Sequence, residues 1–183
     1  MSLPQKNHPP RAQQGAVLVI SLILLLVMTL LGLAAMQITR MEERMAGNLR
    51  DTNIAFQGAE AGLRDAENRL RDMVARPDTC ASAPCAIPSV YERSWLPDNL
   101  RNQGIDWWRD NALEYGDDGG EPDIQQTTED PRVLIEDAAF IPDSLTVGHG
   151  PPEGRNFYRI TAHSTGATIT AQAVLESTYT RRF

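Results

Sequence analysis

With 183 residues the chain has room for one domain and an anchoring segment, and not for two full domains. Its formal charge is −7, its only lysine is Lys6, and all 24 acidic residues follow Arg40. Binding nucleic acid takes clustered Lys and Arg to neutralise phosphates, so this balance argues against nucleic acid as a direct partner.

The first fifteen residues are polar and carry Lys6, His8 and Arg11 without any acid. Residues 12 to 39 contain no charge, and Ala16 to Met36 is almost wholly apolar. At ~1.5 Å per residue, about twenty residues cross the ~30 Å hydrocarbon core of a bilayer. Only a helix satisfies its own backbone there, so this segment is predicted to be a membrane-spanning helix. Lys6 and Arg11 lie before the span, and Arg40 and Arg44 beyond it are offset by Glu42 and Glu43. Acids count for little in the positive-inside rule and basic residues are few on both sides; the acid-free Lys6 and Arg11 set the expectation of a cytoplasmic N-terminus and an exported, periplasmic remainder. Three readings compete. A secretory signal would use Gly32-Leu33-Ala34 as its small-x-small site, but its apolar core would be only ~7–15 residues. A generic signal anchor would hold an unrelated periplasmic domain, including an enzyme. The third reading rests on the join at Gly15, where the polar leader runs straight into the apolar run.

Beyond the span, apolar residues recur at Ile38, Met41, Met45, Leu49, Phe56, Ala59, Leu63, Ala66, Leu70 and Met73, with Thr52 as the one break. That interval is helical, and Arg, Glu and Asp fill the other face. One helix is therefore predicted from Ala16 to Ala75, stopped by Arg76-Pro77 because the residue before proline is driven from the α region. The stripe over residues 54 to 74 is expected to pack on the chain's own head. Gly47-Asn48 costs ~1 kcal/mol against alanine and predicts fraying or a bend. Gly32, Ala34 and Ala35 are small enough to let another helix come close.

The head begins in a Pro-rich stretch, Pro77 to Pro88, that holds Cys80 and Cys85. No CxxC pair or His/Cys cluster accompanies them, so no metal site is assigned. A disulfide closing a short loop in an oxidising compartment is the preferred reading. So short a loop adds little global stability and stiffens the chain locally. Gly116 to Pro122 is a loop by composition. The carboxylates from Asp117 to Asp123 offer calcium-type oxygen ligands, but their spacing does not fit an EF-hand, which favours a solvated loop. Trp95, Trp107 and Trp108 are expected to pack the head. Three strands follow. Arg132 to Ile141 is the least regular. Asn156 to Ser164 puts Tyr158, Ile160 and Ala162 on one face. Ala167 to Thr180 comes after a Thr165-Gly166 turn and sets Ile169, Ala171, Ala173 and Leu175 on one face. The C-terminal hairpin is expected to cover the stripe from Phe56 to Met73, giving an α+β head with a small antiparallel sheet.

No catalytic constellation is present. His8 lies in the leader, His149 in a Gly/Pro loop, and His163 on the strand face opposite Ile160 and Ala162. There is neither a Gly-x-Ser-x-Gly elbow nor a glycine-rich phosphate loop. The chain is read as non-enzymatic and free of cofactors, with a signal-anchored periplasmic enzyme as the other-class alternative.

The join Gln13-Gln14-Gly15-Ala16-Val17-Leu18-Val19-Ile20 resembles a class III (prepilin) signal. Together with Met41-Glu42-Glu43-Arg44-Met45-Ala46-Gly47-Asn48 and Ala55-Phe56-Gln57-Gly58-Ala59-Glu60-Ala61-Gly62-Leu63-Arg64, it resembles the N-terminal region of PilX-type minor pilins. The likeness covers residues 13 to 75 strongly and the last thirty weakly. It implies a pilin-like fold, cutting after Gly15 by prepilin peptidase and methylation of the new amine of Ala16. Trimming there removes Lys6 and Arg11 and leaves 15 basic against 24 acidic residues, a charge of −9. The implied layout is a leader at 1–15, a membrane and assembly half-helix at 16–38, an amphipathic half-helix at 39–76 and a periplasmic head at 77–183. Ile20 departs from the family, since pilins usually have Glu there. An isolated carboxylate in lipid costs ~2.5–3.5 kcal/mol on insertion scales, so a subunit keeps one only where a neighbour answers it. A chain without it suits the tip of a filament; the alternative is that Ile20 is simply tolerated in this sequence. The implied partners are other minor pilins, the major pilin, the inner-membrane assembly platform and a tip adhesin. The implied roles are priming of pilus assembly, adhesion, twitching motility and DNA uptake. A minor pseudopilin of a type II secretion system is the alternative within the same class. N-terminal sequencing of the purified protein is expected to start at Ala16, and Gly15→Val to block processing; a start at Ala35 would instead identify an ordinary signal peptide.

Overall fold

The structure is a computed structural model that describes residues 14–80, 90–92, 96–116, 124–143 and 153–183. The chain divides into two compact units, residues 1–46 and 47–183. Helix α1, Gln14–Asp72, supplies the described part of the first unit and continues into the second. It runs through Gly47-Asn48 without fraying. Thr52 Oγ1 donates to the Asn48 carbonyl at 2.9 Å, and the ~1 kcal/mol cost of one glycine is small against a cooperative helix of 59 residues.

The helix ends at Asp72, ahead of the stop expected at Arg76-Pro77. The head takes over its last turn. Arg181 donates to the Leu70 carbonyl, Met73 N–H bonds Arg69 O at 3.2 Å, and Arg76 reaches Asp137 at 2.7 Å. Arg181 thus satisfies an orphan carbonyl of the last turn, Met73 closes that turn within the chain, and the Arg76–Asp137 pair draws the chain onto the sheet before proline acts.

The second unit is α+β. Its strands are β1 (Thr79–Cys80), β2 (Val90–Glu92), β3 (Leu113–Glu114), β4 (Arg132–Pro142), β5 (Gly154–Thr165) and β6 (Gln172–Arg181). They form one sheet in the order β1-β2-β4-β5-β6, with β3 pairing the start of β4. The pairs β4–β5 and β5–β6 are antiparallel, while β1–β2 and β2–β4 are parallel, so the antiparallel sheet is extended by two short parallel strands. The connection from β5 to β6 is longer than the predicted Thr165-Gly166 turn. Gly166 N–H bonds Ala171 O at 2.8 Å and Ala171 N–H bonds Thr168 O at 3.2 Å, which keeps residues 167 to 171 out of the strand. Ile169 and Ala171 therefore leave the predicted face, and Ile169 is exposed.

Two cores lie on opposite faces of the sheet. Between α1 and the sheet, Ala59, Ala66 and Leu70 meet Val133, Ile135, Tyr158, Ile160 and Ala162, and Leu63, Met73, Ala173, Leu175 and Tyr179 pack around them. Burying an Ile160 or Leu70 side chain contributes ~1.5–3 kcal/mol each. On the other face, Trp108 of α2 (Ile105–Asn111) meets Tyr91 and Leu134, flanked by Leu96, Leu100, Trp107 and Val174. Alternation along β4 and β5 divides these residues between the faces.

The face of α1 that meets the sheet is turned slightly from the predicted apolar stripe. Phe56 is 44% exposed, and Ala55 beside it is fully buried. The seat is built from small residues, Ala55, Gly58, Ala59, Gly62 and Ala66, which let helix and sheet close together. A Cβ on Gly58 would collide with the Ser164 hydroxyl and press on Thr127 Cγ2 at 3.1 Å, whereas one on Gly47 would meet nothing within 4 Å. Gly58→Val is expected to lower stability by ~1–3 kcal/mol through overpacking, and Gly47→Ala to raise it by up to ~1 kcal/mol. Urea unfolding of the detergent-solubilised chain, followed by tryptophan fluorescence, measures both shifts.

Candidate assembly surface

Every residue from Gly15 to Arg50 is exposed. α1 is long and apolar enough to cross a membrane. Leu18, Leu25, Met28 and Leu31 each expose more than 60% of their surface. The three hydroxyl side chains of this stretch bond carbonyls of the helix itself. Ser21 Oγ donates to Leu18 O and Thr29 Oγ1 to Leu26 O, both at 2.8 Å, and Thr39 Oγ1 donates to Ala35 O at 3.2 Å. None of them therefore leaves an unsatisfied hydroxyl for hydrocarbon to solvate. Gly15 and Ala16 sit in the first turn of α1, and the space around Gly15 Cα is open. Ile20 is 57% exposed on the same apolar cylinder. From Gly15 to Thr39 the surface carries no charge and suits lipid or other helices, while Arg40, Glu42, Glu43, Arg44 and Arg50 follow it.

In the second unit, the head is held to α1 by polar contacts at several levels. Asp51 accepts from Thr168, through the Thr168 hydroxyl and its N–H at 3.1 Å. The hydroxyl hydrogen bond holds the Asp51 carboxyl below the usual carboxylate range. Ser177 donates to Glu67 at 2.9 Å. Asp65 and Arg69, one turn apart, form a buried ion pair at 3.0 Å, and Arg69 also reaches the Glu114 carbonyl at 3.4 Å. Removing either partner would strand a buried charge, a loss of ~3–5 kcal/mol in comparable pairs.

The far face of the sheet is organised by His163, which stacks on Trp108 with centroids 5.0 Å apart and is 3% exposed. Burial pushes its pKa down, against a smaller upward pull from Gln172 and Glu129. Arg109 closes the same region by pairing with Glu129 and with Asp106, the latter at 2.6 Å. The Arg109 hydrogen bond holds Glu129 below its ordinary value.

The other residues singled out by sequence fall as follows. Cys80 lies on β1 and is disulfide-bonded. Cys85, Trp95, His8, His149 and the acidic run Asp117 to Asp123 lie outside the described residues. Trp107 and Trp108 pack the head, as expected. No group of three or more His, Cys, Asp or Glu residues that could hold a metal occurs among the described residues. Sequence reasoning missed the Trp108–His163 stack and the Asp51–Thr168 clamp, which join residues far apart in the chain. It also passed over Gly58 and Gly62, although their four-residue spacing between Ala55 and Ala66 signals a close-packed helix face.

Comparison with known families matches residues 14–64 to the family described as PilX N-terminal. Residues 60–181 match the family described as Type IV pilus assembly protein PilX C-term. No curated protein and no solved structure matches the chain.

The buried neutral His163 makes head stability pH-dependent. Its folded pKa lies below the ordinary imidazole value of about 6.5, so as pH falls through about 6.5 the unfolded chain takes up a proton that the fold refuses. Stability is expected to fall with pH from 6.5 down to the folded value and to lose no more through this group below it. Urea midpoints at pH 7.5 and 5.5 should show the drop, and His163→Gln should flatten it in that window.

Proposed function

The chain belongs to the PilX family of type IV pilus assembly proteins, and from that premise we propose that it works as a minor pilin at or near the pilus tip, in the complex that primes polymerisation. The observation that carries this reading is the helix surface from Ala16 to Arg50, exposed at every residue and starting directly behind Gly15, on the same helix whose later part bears the head. Such a surface is stable in lipid or against equivalent helices, and a pilus subunit occupies both in turn.

In this account the chain enters the inner membrane with its N-terminus cytoplasmic and its head periplasmic. Prepilin peptidase cuts after Gly15, and the amine of Ala16 is methylated. The assembly platform then lifts the subunit out of the bilayer into a bundle with other minor pilins, which the major pilin extends. Ile20 supports a tip position. A subunit with no neighbour above it has no amine to answer, and Ile20 avoids the ~2.5–3.5 kcal/mol insertion cost of a carboxylate. Cys80, disulfide-bonded on β1, pairs in this reading with Cys85, the only other cysteine of the chain, and braces the exit from α1. Adhesion through a tip adhesin, twitching motility and DNA uptake follow as properties of the assembled pilus. The role is structural and asks for no catalysis.

Deleting the gene is expected to reduce surface pili several-fold while leaving secretion of extracellular enzymes unchanged. Normal piliation with lost secretion would assign the chain to a type II secretion machine instead. Counting pili by electron microscopy beside an assay of secreted hydrolases decides between them.

A further inference from the structure

Strand β6 ends the sheet, and among the described residues nothing pairs with its outer edge. It runs for ten residues, Gln172–Arg181, in uninterrupted register with β5. None of the ten is buried. Every second residue therefore turns its N–H and C=O away from β5, presenting a row of unfilled hydrogen-bonding positions. Proteins that stay single blunt such an edge with Lys, Pro, a bulge or a short strand. β6 carries no Lys, Pro or bulge, its charged residues are Glu176 and Arg181 alone, and Val174, Thr178, Tyr179 and Thr180 suit pairing. The opposite edge contrasts with it, since β1 is two residues long and its Cys80 is disulfide-bonded. β6 is also held rigid, with Ala173, Leu175 and Tyr179 packed against the α1 core and Ser177 bonded to Glu67. The ordering cost of a strand template is thus already met before any partner arrives.

The outer face of the strand says what kind of partner fits. Glu176 stands mid-strand with its side chain 54% exposed, and its partner Arg159, at 3.3 Å, is shared with Glu136 at 3.6 Å. Beside it opens a groove of about 470 Å³ lined by Leu96, Leu100, Arg159, Thr161, Val174 and Glu176. We infer that β6 is a docking edge for an extended segment of a different polypeptide, which adds a strand to the sheet and sets a Lys or Arg against Glu176, with its long apolar stem lying over Leu100 and Val174. A second copy of this chain fits less well, because it would bring another head of a net-acidic chain, −7 overall, against the same edge. The inference rests on the pilus reading above, which supplies the setting in which another subunit comes within reach.

The test is hydrogen exchange by mass spectrometry on the full-length chain, alone in detergent and within purified pili. Peptides covering residues 172–181 are expected to exchange at least tenfold more slowly in pili, and Glu176→Lys, which reverses one exposed charge, to return most of that exchange. Unchanged exchange in pili that do contain the chain overturns the docking edge while leaving the pilus assignment intact. Protection equal in the Glu176→Lys chain overturns the cationic partner. Protection that appears in the chain alone as its concentration is raised overturns it in favour of a second copy. If sheared pili lack the chain altogether, the pilus reading falls and takes this proposal with it.

Discussion

An apolar helix surface with nothing on it is the constraint from which the rest of this protein follows. From Gly15 to Arg50 no residue is covered by the chain itself, and much of that surface is Leu, Ile, Val and Met. At roughly 25 cal/mol for each Å² of apolar surface, leaving it in water would outweigh the stability of an ordinary domain. Such a surface is compatible with lipid or with other helices around it. The helix is built to tolerate both, because its backbone is closed and Ser21, Thr29 and Thr39 are satisfied by carbonyls of their own helix. Moving it from one apolar setting to the other changes little hydrophobic free energy. That near balance suits a subunit that is stored in a membrane and later withdrawn from it.

The head is fixed to the helix by close packing and by polar contacts. Small residues bring α1 down on the sheet, and large ones from β4 and β5 fill the space on either side of them. Polar contacts hold the arrangement in register from Asp51 to the end of the helix, and Arg181 closes the last turn near the C-terminus of the chain. A pull on α1 is therefore spread over the sheet rather than borne by a single loop.

Much of this was legible in the residues alone. An uninterrupted apolar run running into a helical stripe can mean few things, so the long N-terminal helix was plain. Alternation along Asn156 to Ser164 placed Tyr158, Ile160 and Ala162 on the α1 side, where they lie. The errors have physical causes. Choosing Phe56 over Ala55 as the buried residue followed side-chain size, but the close approach of the sheet rewards small residues there. The turn before β6 looked tight because Gly166 suits a hairpin, yet Gly166 is needed for its approach to Asp51, where a side chain would collide. Proline was read as the stop of α1, while contacts from β4 and β6, invisible in local sequence, end it at Asp72. The two parallel pairings of β1 and β2 depend on strands of two and three residues, too short to show a period.

A photo-reactive amino acid at Leu31 tests the central claim most directly, because Leu31 lies within the apolar run with 61% of its surface exposed. Illumination of cells blocked in assembly should attach it to lipid. Illumination of sheared pili should attach it to the N-terminal helix of another pilin. Attachment to lipid alone under both conditions, with the chain left in the membrane fraction, would contradict the account.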